Sequence, residues 1–344
     1  MADARVPPPV RFGVAHDFRC PPGSDYTLQD VYAQTVEQVA LLDRLGLDLV
    51  WFSEHHFVED GYLPSFVPVA GAVAAVTERM RISTNIAIVP FSHPIRLAED
   101  LAVLDQLSGG RMEFGAGLGY APHEFRAFGF PVAQRVSRTE ECLDILRLAW
   151  SGERFSYQGK RYQFDDVRVY PDPVQPGGPP LWLAMSSVPS IERAVRYRTH
   201  VLPQGPRSLL DGWREQLRAA GGDPADHRVG IIRTFLVTDD PERDWPPLRA
   251  AERYRMQVYG RFFAEAGLGD AQTFNEGDRI PQRVVVGDVD HCAAELTSFI
   301  RTYGLTDVVT WGSAPGLPPA ALTPSMERFA SEVVPKVRAA LAVS

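Results

Sequence analysis

Lysine is almost missing from this chain. Of 344 residues only Lys160 and Lys336 are lysine, and arginine carries the rest of the positive charge. Acidic residues outnumber basic ones, 43 to 35, for a net charge of −8. With no Lys/Arg-rich run either, nothing marks a nucleic-acid or anionic-membrane surface. Cysteine is equally scarce: Cys20, Cys142 and Cys292 are odd in number and far apart, which excludes a disulfide framework and points to a reducing compartment. There is no run of about 18 apolar residues, and the first nine residues contain no apolar signal region. A cytoplasmic protein without membrane contact is expected. Phosphate-binding P-loop, Gly-x-Ser-x-Gly elbow and metal-ligand spacing are all missing, so no metal is expected and the chain lacks an electrophile of its own. Any chemistry would come from an organic cofactor.

What is present is an alternation of apolar strand-like runs with amphipathic helices. Strands are expected at 10–15, 47–53, 82–89, 111–115, 181–185, 200–202, 229–237 and 307–311. Helices fit 28–45, 66–79, 136–150, 189–197, 208–220, 242–266 and 323–341, with others opening at Pro94 and after Asp288. Cys142 and Cys292 fall on the inward stripes of their helices. Such a pattern makes either a closed barrel or a doubly wound sheet. No composition break marks a linker, so the expected fold is α/β, one (β/α)8 TIM barrel domain over 1–344 with insertions after strands 4 and 7. The first insertion, about 152–180, begins as a hairpin. The second, about 240–282, is long and in part Gly-rich, and is expected to be a mobile lid.

The candidate chemistry sits at strand ends. The run from Leu49 to Phe52 delivers Glu54, His55 and His56 to a loop, and imidazole is the side chain best suited to proton transfer near neutral pH. Asn85 interrupts the apolar third strand, where a polar amide needs a partner or a ligand. Gly115, Gly117 and Gly119 after strand 4 allow close backbone approach to a ligand, but Tyr120 stands where a dinucleotide fingerprint requires glycine. Ser186 and Ser187 close strand 5, either as phosphate ligands or as a helix cap. His93 and His123 read as structural loop histidines.

Read together, the segments Glu54-His-His-Phe57, His93-Pro94 with Arg96 and Glu99-Asp100, Leu104-Asp105-Gln-Leu-Ser108 and Gly110-Arg-Met-Glu-Phe-Gly115 resemble the bacterial-luciferase-like flavin monooxygenases. Glu124-Phe125, Phe128-Gly129, Phe155-Ser-Tyr-Gln-Gly159, Val169-Tyr-Pro171 and Pro173-Val-Gln-Pro176 continue the likeness, which runs from Val10 to about Trp311. The resemblance implies a barrel that binds reduced FMN at its C-terminal face, usually as a dimer. Oxygen would add at the flavin C4a to give a peroxide that oxidises a small organic substrate. It implies further that His55 is catalytic, with Glu54 or His56 orienting it, and that a non-prolyl cis peptide joins Asn85 to Ile86. Gly117, Leu118, Tyr120, Met185, Ser186 and Ser187 fall at cofactor positions. Phe18, Trp51, Phe52 and Phe274 are candidate apolar walls that exclude water.

Three positions depart from luciferase: Gly117 replaces a reactive cysteine, Leu118 the arginine that grips phosphate, and Met185 a carboxylate, while Ser186 keeps the hydroxyl. Light emission is not expected. With no nicotinamide fingerprint, reduced flavin would arrive from a separate reductase. A deazaflavin-dependent oxidoreductase is the runner-up, and a non-catalytic flavin-binding relative the third reading. The substrate is not legible, because insertions set specificity.

Overall fold

The computed structural model describes residues 8–270 and 284–343. Strand β1 (Arg11–His16) leads into α1 (Leu28–Arg44), β2 (Leu49–Phe52) into α2 (Phe66–Val76), and β3 (Arg81–Thr84) with β4 (Ala87–Ile88) into α3 (Pro94–Ser108). After β5 (Phe114–Gly117) come the short α4 (Pro122–Ala127) and α5 (Arg135–Ala149), then an antiparallel hairpin, β6 (Phe155–Gln158) and β7 (Gln163–Val167). The parallel pattern resumes with β8 (Leu181–Met185), α6 (Val188–Tyr197), β9 (His200–Pro203), α7 (Arg207–Ala219), β10 (Gly230–Ile232) and β11 (Phe235–Val237). The 25-residue α8 (Pro241–Glu265) follows, and β12 (Val285–Gly287), α9 (Val289–Tyr303), β13 (Asp307–Trp311), α10 (Pro319–Arg328) and α11 (Val334–Ala342) complete the chain.

It is an α/β fold built on parallel strands. One sheet runs β10-β13-β1-β2-β3 and another β4-β5-β8-β9. Single parallel bridges, Ile82 to Met112 and Val201 to Val229, connect them on either side. Strand alternation divides the core into two layers. Leu49 and Trp51 of β2 join Ala15, Trp182, Leu202, Val309 and Trp311 in an inner cluster, with the Trp51 and Trp182 rings edge to face at 6.0 Å. Val50 and Phe52 point the other way, into the larger core under the helices.

Several expected elements are broken or added. The third strand divides into β3 and β4 at a cis peptide between Asn85 and Ile86. The seventh divides because β10 pairs with β13 whereas β11 turns to pair with β12, a strand the sequence pattern did not announce. The terminal helix carries a π-helical turn at Phe329–Val333. Pro335 lies just beyond that turn and has no N–H to donate, so the regular ladder cannot run through it. Cys142 and Cys292 are buried, as their helix positions predict.

The N-terminal ends of the strands are closed by ion pairs. Burial alone would raise the Glu113 carboxyl, but Arg11 and Arg81 beside it hold it down at about 2. Burial lowers three histidines, His227 among them, and keeps two of them neutral well into acid: His16 falls to about 3 and His200 to about 4. Below pH ~6.5 the unfolded chain protonates both, and the folded chain does not. The unfolded state then binds more protons, so stability falls as pH falls through that window. The expected loss between neutral pH and pH 5 is about 2 kcal/mol per histidine. Urea unfolding at the two pH values measures it, with His16→Met removing the His16 share. An unchanged midpoint would show that the imidazoles reach water.

Candidate active site

His55 lies three residues beyond β2, at the C-terminal ends of the strands, where parallel α/β folds place their chemistry. Its Nδ1 is 2.9 Å from Oε1 of Glu124, which sits in the first turn of α4 beyond β5. The same oxygen accepts the His56 backbone N–H at 2.8 Å. Glu124 is fully buried, and its Oε2 has no hydrogen-bond partner among the described residues. A carboxylate at Nδ1 makes that nitrogen the donor and leaves Nε2 to accept a proton. His56 is held differently: its Nε2 is 2.9 Å from Glu54 Oε1, and its ring meets Phe91 and Phe128 edge to face. The carboxylate that meets His55 is therefore Glu124's. Glu54 serves the second histidine.

Four aromatic rings enclose His55: Tyr62 at 4.9 Å, Phe262 at 5.1 Å, Tyr120 at 5.7 Å and Tyr259 at 5.8 Å between centroids. A hydroxyl chain runs behind them, from Ser53 Oγ to Tyr62 OH at 2.6 Å and on to Tyr259 OH at 2.7 Å. Burial pushes both phenols up, so they stay protonated and able to donate at neutral pH. The Tyr120 hydroxyl is buried with no partner among the described residues.

Tyr259 and Phe262 come from α8, and a buried ion cluster ties that helix down. Arg255 Nη1 meets Glu252 at 2.5 Å, Arg255 Nε meets Asp17 at 3.3 Å, and its Nη2 donates to the Ser313 carbonyl at 2.9 Å. Arg19 pairs with Asp60 at 2.7 Å. The helical part of the expected lid, 241–265, is thus anchored by internal charge pairs, whereas 271–283, Phe274 among them, lie outside the described residues.

The other candidates separate into two groups. Asn85 and Ile86 are half-buried, and Ile86 packs on Gly117, where a Cβ would come 1.9 Å from its Cδ1. Gly115 touches Thr84 equally closely, so these two glycines let strands approach at the bend rather than presenting bare amides. Gly119 adopts φ 68°, which glycine tolerates best, and turns the chain toward Tyr120. Leu118 is half-buried at the end of β5, and Ser186 and Ser187 are exposed at the end of β8. The Ser186 and Ser187 backbone N–H groups already donate to Ser190 Oγ, at 3.0 and 2.9 Å, so only the two hydroxyls remain for an anion.

Met185, Phe18 and Phe52, by contrast, are sealed in the helix-facing core, with Phe18 against Tyr32 at 4.8 Å. Trp51 lies in the inner stack. Alternation along β2 and β8 turns Phe52 and Met185 away from the strands' interior. Glu124, Tyr62, Tyr259 and Phe262 were not singled out from the sequence. Glu124 belonged to a resemblance motif but carried no role, and nothing in helix periodicity tells a wall residue of α8 from a core residue.

A buried imidazole–carboxylate pair walled by aromatic hydroxyls, at the C-terminal ends of parallel strands, is an arrangement suited to an enzyme. The profile of the luciferase-like monooxygenases matches residues 10–306, and the chain belongs to that family. The chain spans about three fifths of the length of the first curated relatives it matches, 62% and 63%. One relative, the oxygenase component of a flavin-dependent trigonelline monooxygenase from Acinetobacter baylyi, is 30% identical over 49% of this chain and 48% of its own. Among solved structures, the oxygenating constituent of 3,6-diketocamphane monooxygenase from a Pseudomonas putida plasmid, in complex with FMN, superposes with a TM-score of 0.79 at 20% identity. That match covers 95% of this chain and 98% of the other. An F420-dependent secondary alcohol dehydrogenase reaches a TM-score of 0.75 at 20% identity, over 96% and 99% of the two chains. At such identity these two likenesses concern the fold alone. No helix among the described residues is long and apolar enough to cross a membrane.

Proposed function

We propose that this protein is a flavin-dependent monooxygenase that takes reduced FMN from a separate reductase and uses O2 to oxidise a small organic substrate. The observation that carries the reading is the His55–Glu124 pair inside its aromatic enclosure. The fold that goes with it is one (β/α)8 barrel over the whole chain, with the β6–β7 hairpin and the segment around α8 as insertions. The residues present fit a flavin: beside His55, the buried Tyr120 hydroxyl and Glu124 Oε2 have no partner among the described residues and are free to meet polar groups of a ligand. When bound, reduced flavin would supply the two electrons that oxygen activation needs. His55 Nε2 accepts or returns a proton at the reacting oxygen, Glu124 holds the ring in that tautomer, and the aromatic wall excludes water. Ser186 and Ser187 offer hydroxyls to the phosphate.

The reading is tested by mixing the protein with chemically reduced FMN and air. The oxidised-flavin absorbance should return more slowly than for free flavin. Return at the free rate under saturating protein would sink it. Hydride transfer from a reduced deazaflavin without oxygen uptake would favour the second reading, which the F420-dependent fold neighbour keeps open.

A homodimer through α2 and α3 belongs to the proposal. On α2, Val69 and Val73 are buried and Val76 is 44% exposed, while Val103 and Leu107 of α3 are 43% and 61% exposed. Val76, Val103 and Leu107 are the apolar side chains of these helices left exposed to pair. Light scattering at micromolar concentration should give twice the chain mass, and a monomer would refute the pairing.

A further inference from the structure

We infer that α8 carries an anion site, in which Arg253, with Arg249 one turn before it, grips a phosphate or carboxylate group of a ligand. Among the described residues, four arginines are buried to nine-tenths or more: Arg19, Arg193, Arg253 and Arg255. Arg19 pairs with Asp60, Arg193 with Glu140, and Arg255 with Glu252 and Asp17. Arg253 has no ion pair among the described residues, and its buried Nε and Nη2 have no hydrogen-bond partner there. The buried Nε of Arg249 is in the same condition. A guanidinium cannot shed its charge, so burying one without a counter-charge is costly. Two at i and i+4 repel each other as well. Both penalties vanish when an anion lies between them, and the guanidinium fork matches the oxygens of phosphate and carboxylate.

The position on the helix supports a ligand. At about 100° per residue, Arg249, Arg253, Met256, Gln257 and Gly260 share a strip centred about 140° around the axis from Arg255 and its ion cluster. No carboxylate stands among those five positions. The strip borders Phe263, which stacks on Tyr120 at 5.0 Å, beside the loop after β5 where cofactor residues are expected. The amides at Ser186 and Ser187 are already taken by Ser190, which leaves an anion in need of other donors.

The inference adds to the flavin reading, and its first two tests involve no flavin. Arg253→Met removes the uncompensated charge, so the apo thermal midpoint should stay level or rise. A fall of several degrees would reveal a protein partner and overturn the site. Inorganic phosphate and acetate should raise the wild-type midpoint and bind the variant at least about tenfold more weakly. Equal rises in both proteins overturn it too. With the site upheld, titrating oxidised FMN against riboflavin identifies the source of the anion. Loss of the FMN preference in the variant assigns it to the flavin phosphate. A preference that survives assigns it to an acidic substrate, and the flavin-binding reading stands or falls separately on whether either flavin binds at all.

Discussion

His55→Ala should lower turnover by about 100- to 10,000-fold while the folded structure and flavin affinity stay as they are. That range is what a positioned acid–base residue contributes. The side chain is buried among aromatic rings, and its Nε2 makes no hydrogen bond among the described residues. Removing it leaves a small cavity that water can enter and takes away the imidazole that Tyr62, Tyr120 and Tyr259 surround. Steady-state turnover with oxygen uptake, alongside a flavin binding titration, reads both quantities. Activity within threefold of wild type at normal flavin affinity would end the assignment. His56→Ala serves as the control. Its ring is tied to Glu54 and packed between Phe91 and Phe128, so its loss should be milder, and an equal loss would mean the two histidines are ranked wrongly.

Glu124→Gln should be the second most damaging change, lowering kcat by up to about 10,000-fold, the cost seen where a carboxylate fixes the tautomer of a catalytic imidazole. Glutamine keeps the shape, but because one oxygen meets both Nδ1 and the His56 N–H, an amide that turns its NH2 to the ring gives up the His56 hydrogen bond. What it loses is charge. The amide can present its NH2 to Nδ1, which then becomes the acceptor and leaves Nε2 carrying the proton. The effect should fall on kcat more than on KM and displace the pH profile of kcat. Glu124→Asp should recover part of the rate by restoring the charge. A loss of kcat with an unchanged pH profile and no recovery by aspartate would reduce Glu124 to a structural residue, leaving His55 to be oriented by its ring contacts.

Much of the fold was legible because parallel strands write continuous apolar runs. The runs at 181–185 and 307–311 coincide with β8 and β13, and the helices closed by Gly46 and Gly304 end where those glycines allow a left-handed turn. The hairpin after α5 was legible through its alternation around Gly159. Breaks inside a run were not visible from pattern alone. Residues 229–237 are uniformly compatible with one strand, and only pairing with β12 divides them.

The site was legible in its first member alone. A strand delivering two histidines announces itself within a ten-residue window, so the sequence by itself determined that His55 and His56 stand at a strand end, that the strands are parallel, and that no metal spacing is written into the chain. Which imidazole meets which carboxylate was decided by tertiary structure. His55 and Glu124 are 69 residues apart, and His55 and Tyr259 are farther still. Sequence separation says nothing of that proximity, because it arises where loops from different strands converge at one end of the fold. The facing of Phe52 and Met185 was decided there as well. Their strands are apolar on both sides, and only the placement of helices against one of them tells wall from core.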